Sequence, residues 1–190
     1  MNSRRFGSSI SDSHCVPEPL RVAIGGLGAI GFRVARRLDE GVPGLILQSV
    51  SAHNVERAKE RVAEFKGSPS IKSLSELAEE ADVVVECTPP ERFREIAEPA
   101  LRQGRIFMPL SVGQLILNSD FFEMAESTGA RIVVPSGAML GLDALRAASE
   151  GTIHSVRLVT RKPIASLLGA PWLKERGIDL SAHKEPVKVF

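Results

Sequence analysis

The chain has 190 residues, 43% hydrophobic and 25% charged, with a formal net charge of +1 at pH 7. That is the makeup of an ordinary globular chain, long enough for one full domain and a smaller second unit. The balanced charge argues against nucleic-acid and membrane partners, no apolar run approaches the roughly 20 residues of a membrane span, and two cysteines are too few for a disulfide framework and fit a reducing cytoplasm.

Residues 1–19 are polar and Ser-rich, with no apolar segment behind Arg4-Arg5, and are expected to be a disordered extension. Leu20 to Ile24 reads as a short buried strand that runs into glycines. Gly26, Gly28 and Gly31 have the spacing G-x-G-x-x-G, and Ile30, Val34 and Leu38 then recur every four residues as the apolar stripe of a helix. A second strand, Leu45 to Ser51, ends about 25 residues after Gly26, which completes the expected strand-helix-strand unit. In such a unit the glycines turn the chain tightly and let a pyrophosphate sit on the helix N-terminus. The cofactor contacts expected there are Gly26, Gly28, Ala29, Ile30 and Gly31.

The second-strand end reads Ser51-Ala52-His53-Asn54, with Arg57 a turn later. An acidic side chain at this point binds a ribose 2′-hydroxyl, whereas polar or basic ones accept a 2′-phosphate. No carboxylate is present, so NADP is expected there, with NAD held through Ser51 and Asn54 as the alternative. His53 and Asn54 are the candidate contacts. Asn54 also caps a helix expected from Val55 to about Phe65. Ser73 and Glu76 have capping-box spacing ahead of Leu77 and Ala78.

Asp82 to Cys87 is a strongly apolar strand, closed by Thr88-Pro89-Pro90. A helix is expected from Glu91 to Gln103, a strand from Arg105 to Leu110, a helix from Asp120 to Ser127 and a strand from Arg131 to Val134. Strands alternating with helices imply the α/β class, a doubly wound parallel sheet of the Rossmann type. Ligands of such sheets lie at the carboxyl ends of the strands. Cys87 and Thr88 at one end, and Ser111 and Val112 at the next, are therefore further candidate cofactor contacts; Cys87 reads as a packing residue rather than a nucleophile. Pro135-Ser136-Gly137-Ala138 joins the sheet to the second domain, where substrate would meet cofactor.

Beyond a helix from Leu142 to Ser149 the character changes. Thr152 to Arg161 alternates apolar and polar residues like a half-exposed strand of a second, α+β domain, and Pro186 to Phe190 reads as a strand cut short. The expected division is a dinucleotide-binding domain over 20–138 and the start of a substrate domain over 139–190. No metal-ligand spacing appears among the histidines. His183 is a weak candidate base, and no catalytic residue is assigned.

The segments Ile24 to Gly31, Leu110-Ser-Val-Gly113 and Val134 to Leu145 together resemble the L-aspartate dehydrogenase family. Thr160-Arg-Lys-Pro163 and Gly169-Ala-Pro171 extend the likeness, which covers roughly residues 20 to 190. The resemblance implies a Rossmann domain followed by a catalytic domain. It implies oxidation of L-aspartate with NAD or NADP to iminoaspartate, and so to oxaloacetate and ammonia, with a role in nicotinamide cofactor synthesis and homo-oligomeric assembly. It places Ala138 against the cofactor, beside Ser136 and Gly137 as substrate contacts, and Arg161 and Lys162 near the carboxylates of a dicarboxylic amino acid. The family's catalytic His and a cofactor-binding Asn belong to the later half of the catalytic domain and have no counterpart in this sequence. Gln114 also departs from the small residue that commonly follows Ser-Val-Gly. The alternatives are a non-catalytic NAD(P)-binding protein and a homoserine-type dehydrogenase.

Overall fold

The computed structural model describes residues 18–137, 141–168, 170–181, 183, 185 and 187–189. The chain divides into two compact units, residues 1–140 and 141–190. The expected extension over 1–19 lies, but for Glu18 and Pro19, outside the described residues, as does Ala138.

The first unit is built on one parallel sheet of six strands: β1 (Leu20–Gly25), β2 (Leu45–Ser51), β3 (Ser70–Ile71), β4 (Val83–Glu86), β5 (Ile106–Pro109) and β6 (Arg131–Ile132). Their spatial order is β3-β2-β1-β4-β5-β6. The chain winds outward from β1 through β2 to β3, then returns and winds outward the other way through β4, β5 and β6. The reversal falls at β1, which pairs with β2 on one side and β4 on the other.

Every strand being parallel, both faces must be covered by helices. Alternate residues of β1 show the consequence. Val22 and Ile24 join Val83 and Val85 under α1 (Ala29–Glu40) and α2 (Val55–Val62), whose Ala35, Leu38 and Ala58 are buried there. Ala23, Val84 and Phe107 point the other way, beneath α3 (Leu77–Glu80), α4 (Phe93–Arg102) and α6 (Asp120–Thr128), with α5 (Gly113–Leu117) adding Leu115. In α4 the buried residues are Phe93, Ile96, Ala97, Ala100 and Leu101, the i, i+3, i+4, i+7, i+8 stripe of a helix with one apolar face. Phe93 meets Phe107 edge-on at 5.7 Å between ring centroids, the geometry favoured by aromatic quadrupoles.

At the edge opposite the glycines, Arg21 and Asp82 tie β1 to β4. Arg21 donates to the Asp82 carboxylate from its backbone N–H at 2.9 Å and from Nη2 at 2.8 Å, and Asp82 returns its own N–H to the Arg21 carbonyl at 2.8 Å. The Arg21 guanidinium holds the Asp82 carboxyl at about 2, below its usual range.

Several local expectations need correction. The second helix stops at Val62, short of Phe65. The helix expected from Glu91 opens with a 3-10 turn over Pro90–Arg92 before α4 begins. β3 and α5 are too short to carry a periodicity and were not expected. β6 ends at Ile132, although Val133 still donates to the Phe107 carbonyl at 2.8 Å. Only half of the Ser73–Glu76 capping box forms. Glu76 Oε2 accepts from the Ser73 N–H at 3.0 Å, while the Ser73 hydroxyl donates to the same oxygen instead of accepting from the helix.

The second unit contains α7 (Leu142–Ala148), a 3-10 turn over Ile164–Ser166 and α8 (Pro171–Glu175). Leu173 and Leu180 are its buried hydrophobic residues. Residues 152–161 form no strand: Val156, Leu158 and Val159 are 62–74% exposed, and no backbone partner pairs with them among the described residues. Alternation marks a face able to pack, and without a neighbouring strand these residues stay exposed to solvent. Residues 187–189 likewise form no strand, and the rest of the expected terminal strand lies outside the described residues.

Candidate functional site

The parallel sheet brings the ends of β1, β2, β4 and β5 to one edge. The turn after β1 is fixed there by three backbone contacts. Gly26 N–H donates to the Ser51 carbonyl at 2.9 Å, Cys87 N–H donates to the Gly25 carbonyl at 2.8 Å, and Phe32 N–H closes the first turn of α1 on Gly28 at 3.1 Å. The three motif glycines have different reasons to be glycine. Gly26 has φ +98°, and a Cβ on it would lie 2.5 Å from the Cys87 carbonyl oxygen. A Cβ on Gly31 would run into the Gly26 carbonyl oxygen. A Cβ on Gly28 would meet nothing within 4 Å. The fold thus dictates Gly26 and Gly31, and leaves open space above Gly28.

That space faces the N-terminus of α1. Gly28 is the N-cap and makes no side-chain cap, and no acidic residue lies in the first turn. The neighbouring α2 is different: Asn54 Oδ1 caps it by accepting from the Arg57 N–H at 2.9 Å. The first N–H groups of α1 are left without a side-chain acceptor, at the positive end of a twelve-residue helix. An anionic group with several oxygens fits such a cradle. Ala29 and Ile30 are exposed in its first turn, Ile30 by 60%.

Beyond the end of β2, His53 and Asn54 are exposed, as is Arg57. Arg61, not among the residues singled out from the sequence, reaches back from α2: its Nη1 donates to the Leu27 carbonyl in the glycine turn, and its guanidinium lies 4.9 Å over the Phe32 ring. Its register, one turn beyond Arg57, is the signal that could have flagged it.

At the other side of the turn stand the ends of β4 and β5. Cys87 and Thr88 are half-buried, as are Ser111 and Val112. Burial, with a smaller contribution from the neighbouring Glu86 charge, pushes the Cys87 thiol up to about 12, which favours the protonated form at neutral pH over the thiolate a nucleophile needs. The unanticipated residue here is Glu86. It is fully buried at the last position of β4, and its carboxylate accepts from the backbone N–H groups of Thr88, Leu110 and Ser111 and from the hydroxyls of Thr88 and Ser111. A carboxylate closing the run Val83-Val84-Val85 was the available clue.

Ser136 and Gly137 come after β6 and are exposed, with Gly137 at φ +58°. Arg161 and Lys162 belong to the second unit, exposed and adjacent, as is His183. Among the described residues, no cluster of three His, Cys, Asp or Glu side chains could hold a metal ion, and no helix is long and apolar enough to cross a membrane.

Comparison with known proteins agrees with this geometry. The family described as "Homoserine dehydrogenase, NAD binding domain" matches residues 26–135, and "Aspartate dehydrogenase, C-terminal" matches residues 143–190. The chain is 44% identical over 171 residues to the L-aspartate dehydrogenase of Bradyrhizobium diazoefficiens, covering 90% of this chain and 61% of the relative. It is 42% identical over 174 residues to L-aspartate dehydrogenase 3 of Bordetella bronchiseptica, covering 91% of this chain and 64% of the relative. The L-aspartate dehydrogenase of Methanothermobacter thermautotrophicus is 36% identical over 174 residues, with 90% and 67% covered. The chain thus spans 61–64% of the length of the first two relatives. Among solved structures, a probable dehydrogenase from Thermotoga maritima superposes with a TM-score of 0.56 at 20% identity, over 69% of this chain and 41% of that one. Biliverdin reductase from Synechocystis sp. PCC 6803, solved with biliverdin and NADP+, gives 0.52 at 22% identity, over 61% and 37%. These structural likenesses establish the Rossmann-type α/β fold, and the sequence likenesses go further: this chain belongs to the L-aspartate dehydrogenase family.

Proposed function

We propose that the chain serves the NAD(P)-dependent oxidative deamination of L-aspartate, with the unit over 20–138 holding the dinucleotide and the segment from 139 beginning the substrate domain. The observation that carries the reading is the uncapped N-terminus of α1 beneath the open space at Gly28. A pyrophosphate there would accept the N–H groups that no side chain caps. The adenosine half would then run toward the end of β2. His53, Asn54 and Arg57 offer polar and basic groups there, and the carboxylate of that turn, Glu56, is paired with Lys59 at 2.8 Å, which favours NADP while admitting NAD. The nicotinamide half would run the other way, over Cys87, Thr88, Ser111 and Val112. A bound nicotinamide would supply the acceptor for the hydride of the substrate α-carbon, the reaction as a whole converting L-aspartate and water to oxaloacetate and ammonia with release of a proton. The chain's contribution is position. Ser136 and Gly137 follow the sheet's last strand, and Ala138 is next in the sequence. Arg161 and Lys162 supply the paired positive charge that a dicarboxylate requires. A cytoplasmic homo-oligomer is part of the same proposal, supported by the sparse cysteines and the family resemblance.

A second reading has its own support. Among the described residues the ends of β4 and β5, where the nicotinamide half would run, hold no free general base: Cys87 is held protonated and the Glu86 carboxylate is occupied by five donors. In that reading the chain binds NAD(P) without turning over substrate.

The test is calorimetric titration of NADPH and NADH, followed by assay of NAD(P) reduction with L-aspartate and with L-homoserine. Saturable cofactor binding with aspartate-dependent reduction supports the first reading. Binding without reduction supports the second. No cofactor binding, or reduction with homoserine in preference to aspartate, contradicts the proposal.

A further inference from the structure

Glu86 is the only charged residue that is buried among the described residues, with 0% of its surface exposed. A carboxylate removed from water this fully must be compensated by hydrogen bonds. The way the compensation is divided is informative. Oε1 accepts from the Thr88 N–H at 2.6 Å and from its hydroxyl at 2.8 Å, both in the loop leaving β4. Oε2 accepts from the Ser111 N–H at 2.9 Å and the Leu110 N–H at 3.2 Å, both in the loop leaving β5. The Ser111 hydroxyl lies 3.2 Å from Oε1 and 3.4 Å from the Thr88 carbonyl, so its one proton joins the two loops as well. The backbone N–H groups of each loop thus go to a different oxygen, and the Ser111 hydroxyl crosses to Oε1. The Leu110 N–H is shared with the Glu86 carbonyl at 3.1 Å, the last rung between β4 and β5. Thr88 and Ser111 lie past that rung and have no strand partner, so the carboxylate, together with the Ser111 hydroxyl, links them.

The loops lie on a defined side of the glycine turn. β1 is flanked by β2 and β4, and a dinucleotide whose pyrophosphate sits at the turn has its adenosine half toward β2. The remaining half must cross the ends of β4 and β5. We propose that Glu86 is a positioning residue for the nicotinamide half: bridging Thr88 and Ser111, it holds the two loops at the spacing that half requires before any ligand arrives. This rests on the dinucleotide reading above, and predicts selectivity: damage to the bridge weakens grip on the nicotinamide half and spares the adenosine half.

Glu86→Gln tests it. The amide keeps the shape but puts an NH2 group where one oxygen stood; the hydroxyls of Thr88 and Ser111 can turn to accept from it but the backbone N–H groups cannot, so one loop loses its backbone anchor whichever way the amide turns. The expected result by calorimetry is NADH affinity lowered about tenfold or more, with ADP-ribose affinity changed less than about twofold. A merely structural loss would lower both together. A second measurement needs no variant: hydrogen exchange of the ligand-free chain. The Thr88 and Ser111 amides, although in loops, are expected to be protected like strand residues. Exchange at open-loop rates would overturn the proposal, as would equal losses of NADH and ADP-ribose, or no loss, in a folded Glu86→Gln chain. Should that variant not fold, the amide protection decides. A wild-type chain that binds neither ligand would refute the dinucleotide reading itself, a failure distinct from that of the Glu86 assignment.

Discussion

Two valine-rich segments of this chain have opposite fates. Val83, Val84 and Val85 lie in β4, between β1 and β5, at most 8% exposed and packed on both faces. Val156, Leu158 and Val159 of the second unit are apolar at a similar density and stand 62–74% exposed. Local composition is nearly the same; what differs is a paired backbone on both sides. Apolar content makes a segment able to pack, and hydrogen-bonded neighbours decide whether it does.

Substitutions can break or sharpen that contrast. The largest effect is expected for Gly31→Val. Its side chain would collide with the Gly26 carbonyl where α1 meets β1, and the first unit should lose several kcal/mol of stability or fail to fold, as read by urea denaturation. Phe107→Ala should cost about 3–5 kcal/mol by the same measurement, because Phe107 is fully buried against Phe93. Asp82→Asn should cost about 1 kcal/mol at pH 7, reduced by the partial exposure of the pair. That cost should depend on pH. The folded carboxyl sits at about 2, below its unbound 3.8, so the unfolded chain binds the extra proton. The wild-type advantage is therefore complete above about pH 4 and fades as the pH falls toward 2, while Asp82→Asn lacks this pH dependence. Val159→Ser should change stability by less than about 0.5 kcal/mol, since the residue is already in water. A cost near that of Phe107→Ala would show that the segment is covered in solution and would break the contrast.

The same division explains what could be read from the sequence. The glycine turn was legible because its chemistry is backbone chemistry, and the identity of Gly26 and Gly31 is itself the record of two close approaches. The order of strands and helices came from runs long enough to show a period. β3 and α5, at two and five residues, were not. Glu86 was hidden for a different reason. Its role depends on donors at 88 and at 110–111, and only the pairing of β4 with β5 places those in reach of one side chain. Arg61 is a milder case: its spacing from Arg57 puts it on the same face of α2, but only the fold shows that this face reaches the glycine turn. The strand expected at 152–161 shows the reverse error, a correct alternation taken for a completed pairing.

The central claim is that the space above Gly28 is reserved for a ligand phosphate, since nothing in the fold forbids a side chain there. The direct measurement is calorimetric titration of NADPH and NADH into the wild-type chain and into Gly28→Val, with thermal unfolding of both. The account predicts saturable binding by the wild type, and its loss in Gly28→Val at an unchanged unfolding temperature. Undiminished binding by a folded Gly28→Val chain, or no binding by the wild type, would contradict it.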